Sequence, residues 1–452
     1  MRPTLPALLL GLLPASPALA AAAPATLALQ PVGMLAALVF VLAYALVVAE
    51  ERLRLAKSKP VMAAAAVIWL LIAGQAALGG GDPAAVPAAF EHVFLEFAEL
   101  FFFLIVAMSF VGAMAERSVF EALRAELASR RFGYRALFWL TGVVSFFMSA
   151  ALDNLTTALV MSGVILAVSS GNVRFTTLAF VNLVVAANAG GAWCAFGDIT
   201  TLMVWQAKRV EFFEFFSLFL PALVNWLVPA LLMSLALPKG APPPRIDDAD
   251  VKYGGWFACV LFALTIAITV AARQWLHMPP VFGMLLGLAM LKLQGWFIAR
   301  HERADGKDEP YNIFRIIARA EWDTLLFFYG VLACVGGLAT LGWMDLASTR
   351  LYSAWGPTNA NVSMGLLSAV VDNIPIMYAV LQMNPPMDHG QWLLVTLACG
   401  VGGSLLSIGS AAGVALMGVS RGQYTFFGHL RWSWAIGLGY VASIALQRAM
   451  SP

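Results

Sequence analysis

Two short acidic motifs repeat one another inside long apolar runs. Residues 149–156 read S-A-A-L-D-N-L-T, and residues 368–375 read S-A-V-V-D-N-I-P. A carboxylate inside a membrane-crossing run costs on the order of 3 kcal/mol, so it is a functional candidate by default. Asparagine and threonine can satisfy backbone groups where a helix is broken, and Pro375 prevents a regular helix from continuing. The motifs therefore predict two interrupted helices, with polar positions at Asp153, Asn154, Ser368, Asp372 and Asn373.

The chemistry available at such a break is the binding of a small, hard cation. Backbone carbonyls released at a helix break, together with a carboxylate, form an oxygen shell suited to Na⁺ or Li⁺. The alternative is an aspartate that caps a helix start near the membrane surface. The two matched copies favour the ion site. The candidate Na⁺ ligands are Asp153, Asn154, Asp198, Asp372 and Asn373.

Two glycine-rich segments follow the acidic motifs at matched distances. Glycines let two backbones approach closely or let the chain turn back within a membrane, and close helix packing is the alternative explanation. The first segment, residues 188–201, carries an acid at Asp198 where the second, residues 400–413, carries Ser410. The polar candidates in the two segments are Asn188, Asp198, Thr200, Thr201, Ser407 and Ser410.

A third group of ionisable residues lies upstream. His92, Glu96 and Glu99 are spaced i, i+4 and i+7, which places them on one face of a helix and predicts a role in proton uptake. The alternative is a helix end that contacts water. Glu99 lines up with Asp323 in the second half of the chain, although Asp323 starts an apolar run, where helix capping competes with a transport role.

The composition defines the surroundings of these residues. Of the 452 residues, 61% are apolar and 12% are charged, about half the charged fraction of a soluble domain. This leaves room for about 10 to 13 transmembrane helices, so the predicted fold class is an all-α polytopic membrane protein. The apolar runs are continuous, which excludes an outer-membrane barrel. A net charge of +2 gives no basic surface for nucleic acid, and no nucleotide motif or cofactor site is present.

The chain divides at changes in polarity. Residues 1–20 have the charged start, short apolar stretch and small-x-small site of a signal peptide, although an uncleaved tail is the alternative. The further divisions are N-terminal helices (31–87), a first repeat (88–237), a polar linker (238–253), connecting helices with a cytoplasmic loop (254–313) and a second repeat (314–447).

The basic loops indicate that the two repeats are inverted. The span with the first Asp-Asn motif leaves an arginine-rich loop before Arg135, whereas the span with the second leaves a loop that holds only Arg350. Because cytoplasmic loops carry the excess of basic residues, the two spans enter from opposite faces. Inverted repeats are typical of secondary transporters, whose sites lie near the bilayer midplane.

Taken together, these motifs resemble the NhaD family of bacterial sodium/proton antiporters, which belongs to the ion transporter superfamily. The resemblance covers nearly the whole chain after residue 20. It implies two inverted repeats with re-entrant hairpins and interrupted helices, and a homodimer in the bacterial inner membrane that exchanges Na⁺ or Li⁺ for H⁺. It assigns ion translocation to Asp153, Asn154, Asn188, Asp198, Thr200, Thr201, Asp323, Ser368, Asp372, Asn373, Ser407 and Ser410, and activity or pH response to His92 and Glu99.

Two other functions remain as alternatives. An anion carrier of the same superfamily, for dicarboxylates or arsenite, would favour neutral hairpins, and aspartates in both motifs would repel its substrate. An intramembrane enzyme would need a motif such as His-Glu-x-x-His, which the sequence lacks. We therefore expect a transporter driven by the proton gradient, with a role in sodium export and pH homeostasis, and not an enzyme.

Overall fold

The computed structural model describes residues 25–78, 84–129, 132–169, 171–242, 249–306 and 310–451. The predicted signal peptide at residues 1–20 lies outside the described residues, as does the middle of the polar linker, 243–248. Within the described ranges every regular element is a helix. The all-α class predicted from composition is therefore confirmed.

The described part of the chain forms 21 α-helices and two 3-10 helices. The α-helices are α1 (Ala25–Ala28), α2 (Pro31–Val48), α3 (Glu50–Leu53), α4 (Ser58–Leu78), α5 (Ala85–Glu116), α6 (Val119–Ser129), α7 (Tyr134–Leu152), α8 (Asn154–Ser169), α9 (Val173–Gly191), α10 (Ile199–Gln206), α11 (Phe219–Ser234), α12 (Gly255–Leu276), α13 (Pro280–Ala304), α14 (Ile313–Ala318), α15 (Trp322–Thr340), α16 (Trp343–Leu367), α17 (Asn373–Met383), α18 (His389–Gly402), α19 (Ala411–Val419), α20 (Phe426–Leu430) and α21 (Ser433–Met450). The 3-10 helices cover Phe212–Leu218 and Gly403–Leu405.

Nine helices in the described ranges are long and apolar enough to cross a membrane. They are α2, α4, α5, α7, α9, α11 with its preceding 3-10 helix, α12, α13 and α15. This number is below the 10 to 13 expected from composition, because several apolar segments are divided into short helices and because α16 and α21 are long enough but less apolar. The helices α8, α10, α17 and α19 have 16, 8, 11 and 9 residues. The breaks that shorten them lie at the acidic motifs and the glycine-rich segments.

Two helices occupy the centre of the molecule. In α9 every residue from Leu178 to Gly191 is buried, and in α18 every residue from Trp392 to Gly402 is buried. A helix that is apolar on all sides belongs in a core, where neighbouring helices cover it. Helices α7 and α8 pack on α9, and α16 and α17 pack on α18. Each central helix ends in a glycine turn that leads into a short helix, α10 or α19, so both turns lie in the interior.

A buried ion pair joins the first half of the chain to the connecting helices. Arg117, at the end of α5, donates from Nη1 to Oε1 of Glu302 in α13 at 2.7 Å, and each side chain is only 6% exposed. The second carboxylate oxygen of Glu302 accepts from the backbone N–H of Tyr311 at 2.7 Å. The guanidinium also lies 5.0 Å from the centroid of the Tyr311 ring. These contacts fix the chain before α14 against the end of α5.

Candidate cation site

The first acidic motif is a one-residue break between two helices. Helix α7 ends at Leu152, α8 begins at Asn154, and Asp153 between them has φ 58°. This left-handed φ is uncommon for a residue with a side chain. The carboxylate accepts from the backbone N–H of Thr156 at 2.8 Å and from its hydroxyl at 2.8 Å. The aspartate therefore caps α8, and the predicted interruption is present.

The second acidic motif also breaks the chain just before a helix, but the side chain of its aspartate does not cap that helix. Asp372 precedes α17 and makes no side-chain capping bond to it. Its Oδ1 is buried and has no hydrogen-bond partner in the described structure. An unpaired carboxylate oxygen in the interior is costly, and a proton or a bound cation would satisfy it. Two other buried oxygens without partners lie in nearby segments, Oγ1 of Thr157 and Oγ1 of Thr200.

Asp198 lies at the meeting point of the two halves. It is 4% exposed and caps α10, where its Oδ1 accepts from the backbone N–H of Thr200 at 3.3 Å and Thr201 completes the capping box. Its Oδ2 accepts from Nδ2 of Asn373 at 2.8 Å and from Nδ2 of Asn154 at 3.4 Å. The asparagines of both motifs therefore hold the same carboxylate oxygen.

A second link across the halves runs through Asn188. Its Oδ1 accepts from Nδ2 of Asn154 at 3.0 Å, and its Nδ2 donates to Oγ of Ser410 at 3.1 Å. Ser410 in turn caps α19 by accepting from the backbone N–H of Gly413. Ser407 lies outside this network, since its hydroxyl contacts the sulfur of Met417 at 3.5 Å.

The serines of the two motifs make matching contacts. Oγ of Ser149 donates to the carbonyl of Ala187 at 2.6 Å, and Oγ of Ser368 donates to the carbonyl of Cys399 at 2.9 Å. Each bond ties the helix before the break to the central helix of its own half. Ser368 therefore positions α16, and its hydroxyl bonds to a backbone carbonyl and not to a carboxylate.

The glycines also correspond. A Cβ added to Gly190 would lie 2.1 Å from the carbonyl oxygen of Phe146, and one added to Gly402 would lie 2.0 Å from that of Gly365. These backbones touch, so neither position accepts a side chain. The two halves thus repeat the same close approach, whereas their inverted orientation in the membrane stays a prediction.

One pair of corresponding positions differs in size. By the spacing that matches Gly190 with Gly402, Asn188 in α9 corresponds to Gly400 in α18. Asn188 fills its position and bonds to Ser410, whereas an added Cβ at Gly400 would lie 3.3 Å from Cβ of Ala192 and 4.0 Å from Oδ2 of Asp198. A side chain at position 400 would therefore crowd the region beside Asp198, the acid that has only a serine as its counterpart.

The three aspartates line one cavity of about 240 Å³ and do not converge on a single point. Asn154 and Asn373 line the same cavity. In the described residues no group of three His, Cys, Asp or Glu side chains is close enough to hold a metal ion. The charges of Asp153 and Asp372 nevertheless act on Asp198. A cation in this space would use a mixed set of carboxylate, amide and hydroxyl oxygens, which is the donor chemistry of Na⁺.

The remaining predicted residues lie apart from this cavity. Asp323, in the first turn of α15, accepts a hydrogen bond from the hydroxyl of Ser58 and lines a second cavity of about 350 Å³ that also contains Asp372 and Ser410. His92 is largely exposed and lies 3.7 Å from Glu96. Glu99 is half-buried and interacts electrostatically with Glu96 and with Arg273.

Glu96 is connected to the second acidic motif through α17. Its Oε2 accepts from the hydroxyl of Tyr378 at 2.7 Å and from Nε2 of Gln382 at 3.3 Å. Both partners lie on α17, the helix that begins at Asn373. The predicted ionisable face therefore contacts the far end of this helix instead of its ion-facing start.

Sequence reasoning missed three residues that the structure brings to the cavities. Lys57 lines both of them, Tyr44 lines the second, and Ser58 bonds to Asp323. By sequence, Lys57 is one of several basic residues between the first two apolar runs, a pattern typical of a cytoplasmic loop. The sequence does show a lysine in the short polar segment before α4. It does not show that this segment folds towards the cavities.

Comparisons with known proteins place the chain in a family. A family model described as "Citrate transporter" matches residues 32–400. A protein of Alkalimonas amylolytica named "Na(+)/H(+) antiporter NhaD" is 51% identical, over 97% of this chain and 95% of the relative. The chain belongs to the NhaD family.

Two further NhaD proteins show the same relationship. The one from Vibrio cholerae is 51% identical over 92% of this chain and 91% of its own length. The one from Vibrio parahaemolyticus is 52% identical over 86% of this chain and 99% of its own length. This NhaD-family protein is therefore a transporter and not an enzyme, and it is a multi-pass protein of the bacterial plasma membrane.

Proposed function

We propose that this protein is a secondary Na⁺/H⁺ antiporter that exports Na⁺, or Li⁺, in exchange for protons. The observation that carries the proposal is the position of Asp198. Its buried carboxylate accepts from asparagines of both acidic motifs and faces the cavity that Asp153 and Asp372 also line. The names of the relatives support the sodium and proton part of the proposal.

The mechanism is competition between a cation and protons for the same oxygens. With three carboxylates around one cavity, a bound Na⁺ relieves the repulsion that the negative charges exert on one another. Protons relieve the same repulsion. Each substrate therefore disfavours the other, and exchange results if only the loaded forms cross between the two faces of the membrane.

The broken helices let the site change its access. Hydrogen bonds to Asp198 connect the starts of α8, α10 and α17. Asn188 connects the start of α19 to this group by donating to Ser410. We propose that the two halves are inverted repeats and that their short helices move together against the remaining helices of a homodimer. In this scheme the His92–Glu96 pair modulates α17 through Tyr378 and adjusts the pH response.

An anion carrier is the second candidate, because the matching family model is described as "Citrate transporter". The first cavity does contain basic side chains, Lys57 and Arg319. The same cavity contains three aspartates and Glu321. A di- or tricarboxylate would place further negative charge beside these groups, so the geometry favours the cation.

The test is a transmembrane ΔpH assay in everted vesicles from a host without its own antiporters. NaCl, LiCl, KCl, sodium citrate and sodium succinate are added separately to vesicles that hold verified protein. We expect NaCl and LiCl to dissipate the ΔpH and KCl to have no effect. The proposal fails if the chlorides have no effect between about pH 7 and 9.5, and uptake of labelled citrate or succinate would then support the anion carrier.

A further inference from the structure

A lysine from the N-terminal helices reaches the carboxylate cavities. Lys57 lies in the short link between α3 and α4, is half-buried, and lines both the cavity with Asp198 and the cavity with Asp323. The next residue, Ser58, fixes the link by donating its hydroxyl to Asp323. The backbone position of Lys57 is therefore fixed by the start of α4.

The ammonium group of Lys57 has two favourable neighbours. Its Nζ lies 4.7 Å from the centroid of the Phe327 ring, a cation–π contact with a fully buried side chain. Its charge also acts on Asp372, whose Oδ1 is buried without a hydrogen-bond partner. Both Lys57 and Asp372 line each of the two cavities.

The other charged groups around these cavities do not provide the same contact. Arg319 and Glu321 line the first cavity, and Glu50, Glu321 and Asp323 line the second. Asp323 accepts from Ser58, and Asp198 is held by two asparagines. Asp372 is thus the cavity aspartate with a free oxygen, and Lys57 is the cation whose field acts on it.

We propose that Lys57 is an internal counter-ion for Asp372, and that a transported Na⁺ takes its place at the carboxylate while the ammonium rests on the Phe327 ring. This inference rests on the proposed exchange function and adds a residue to it. The proposed step transfers no proton to or from Lys57. A tethered monovalent cation competes with a free one for the same oxygen, and it therefore weakens Na⁺ binding and speeds Na⁺ release.

The chemistry of lysine suits this role. The ammonium is a compact charge on a flexible four-carbon stem, so it can move between a carboxylate and a ring without a change in the backbone. A charged partner in the empty carrier also reduces the repulsion among the aspartates when neither Na⁺ nor enough protons are bound.

The experiment measures ²²Na⁺ binding to purified protein and Na⁺-driven ΔpH changes in proteoliposomes. The neutral variants are Lys57→Gln and Lys57→Met, and Lys57→Arg retains the charge. The matched control is Lys59→Gln, since Lys59 is exposed and lies only two residues away. We expect half-saturating Na⁺ to fall about tenfold in both neutral variants, with slower turnover, because the competing cation is gone. Lys57→Arg keeps a competing positive charge, so its Na⁺ affinity should lie closer to that of the unmodified protein than either neutral variant does. Lys59→Gln should stay within about threefold of the unmodified protein.

A structural role for Lys57 predicts a different pattern. The proposal is overturned if the neutral variants bind Na⁺ as the unmodified protein does, if they bind it more weakly, or if Lys57→Arg changes as much as they do. Met retains the apolar stem, so it is the variant measured if Gln does not accumulate in the membrane. If the unmodified protein itself shows no Na⁺-dependent proton movement, the exchange function fails, and this outcome is distinct from an unchanged affinity in the Lys57 variants.

Discussion

Nδ2 of Asn373 donates a 2.8 Å hydrogen bond to Oδ2 of Asp198. The two residues are 175 positions apart and belong to the two halves of the chain. Asp198 caps the start of α10, and Asn373 is the first residue of α17. A single carboxylate oxygen thus joins the two broken segments.

The first prediction concerns the charge of Asp198. Replacing it with asparagine keeps the size of the side chain but removes the negative charge, so Na⁺/H⁺ exchange should be lost while the protein still accumulates in the membrane. Asp153→Asn and Asp372→Asn should have the same effect. The assay is the NaCl-induced ΔpH response in vesicles. Asp345→Asn is the control because Asp345 is exposed, and wild-type rates in any of the three cavity variants would contradict the carboxylate mechanism.

The second prediction concerns the bond between Asn188 and Ser410. Each alanine substitution removes one partner from a buried contact, which costs about 1 to 3 kcal/mol. The double variant should cost less than the sum of the two, with a coupling energy of about 1 kcal/mol. A thermal unfolding series of the four proteins in detergent measures this coupling. Strict additivity would show that the two side chains do not interact.

The third prediction concerns the space beside Asp198. In Gly400→Ala, the added Cβ would lie 3.3 Å from Cβ of Ala192 and 4.0 Å from Oδ2 of Asp198. Crowding of this type costs about 1 to 3 kcal/mol, so we expect weaker Na⁺ binding and slower exchange. Gly418→Ala is the matched control, since an added Cβ there has no atom within 4 Å. Equal Na⁺ affinity in Gly400→Ala and Gly418→Ala would show that Na⁺ binding does not depend on the space beside Asp198.

The fourth prediction concerns the buried ion pair. Arg117→Gln removes the guanidinium that pairs with the buried carboxylate of Glu302, and breaking such a pair costs about 3 to 5 kcal/mol. The Tm of the purified protein should fall markedly, whereas Arg350→Gln, at an exposed position, should leave it unchanged. An equal Tm for the two variants would mean that the pair does not stabilise the connecting helices.

The fold class and most of the polar residues of the site could be predicted because their signals are local. The apolar runs at residues 32–49, 61–78 and 88–115 are visible in the sequence and correspond to α2, α4 and α5. The Asp-Asn motifs predicted helix breaks because a carboxylate beside an asparagine is costly in an apolar run. The breaks are present before α8 and α17.

What could not be predicted depends on contacts between distant parts of the chain. Lys57 and Asp323 have local patterns typical of a loop and a helix cap, and only the fold brings them to the cavities. The local sequence around Gly400 predicts close helix packing. Only the fold shows that Gly400 lies next to the carboxylate of Asp198, on another segment. Conversely, the i, i+4, i+7 spacing of His92, Glu96 and Glu99 was correct as a helix face, but the spacing does not show that this face lies away from the aspartates.

The most direct test of the central claim is proton release on Na⁺ binding to the purified protein. NaCl is added to protein in weakly buffered detergent solution at alkaline pH, and a pH-sensitive dye records the protons set free. We expect release from the unmodified protein with NaCl and LiCl, none with KCl, and a loss of the NaCl signal in Asp198→Asn. If the unmodified protein releases no protons, or if Asp198→Asn releases as many, then Na⁺ and H⁺ do not compete for this carboxylate.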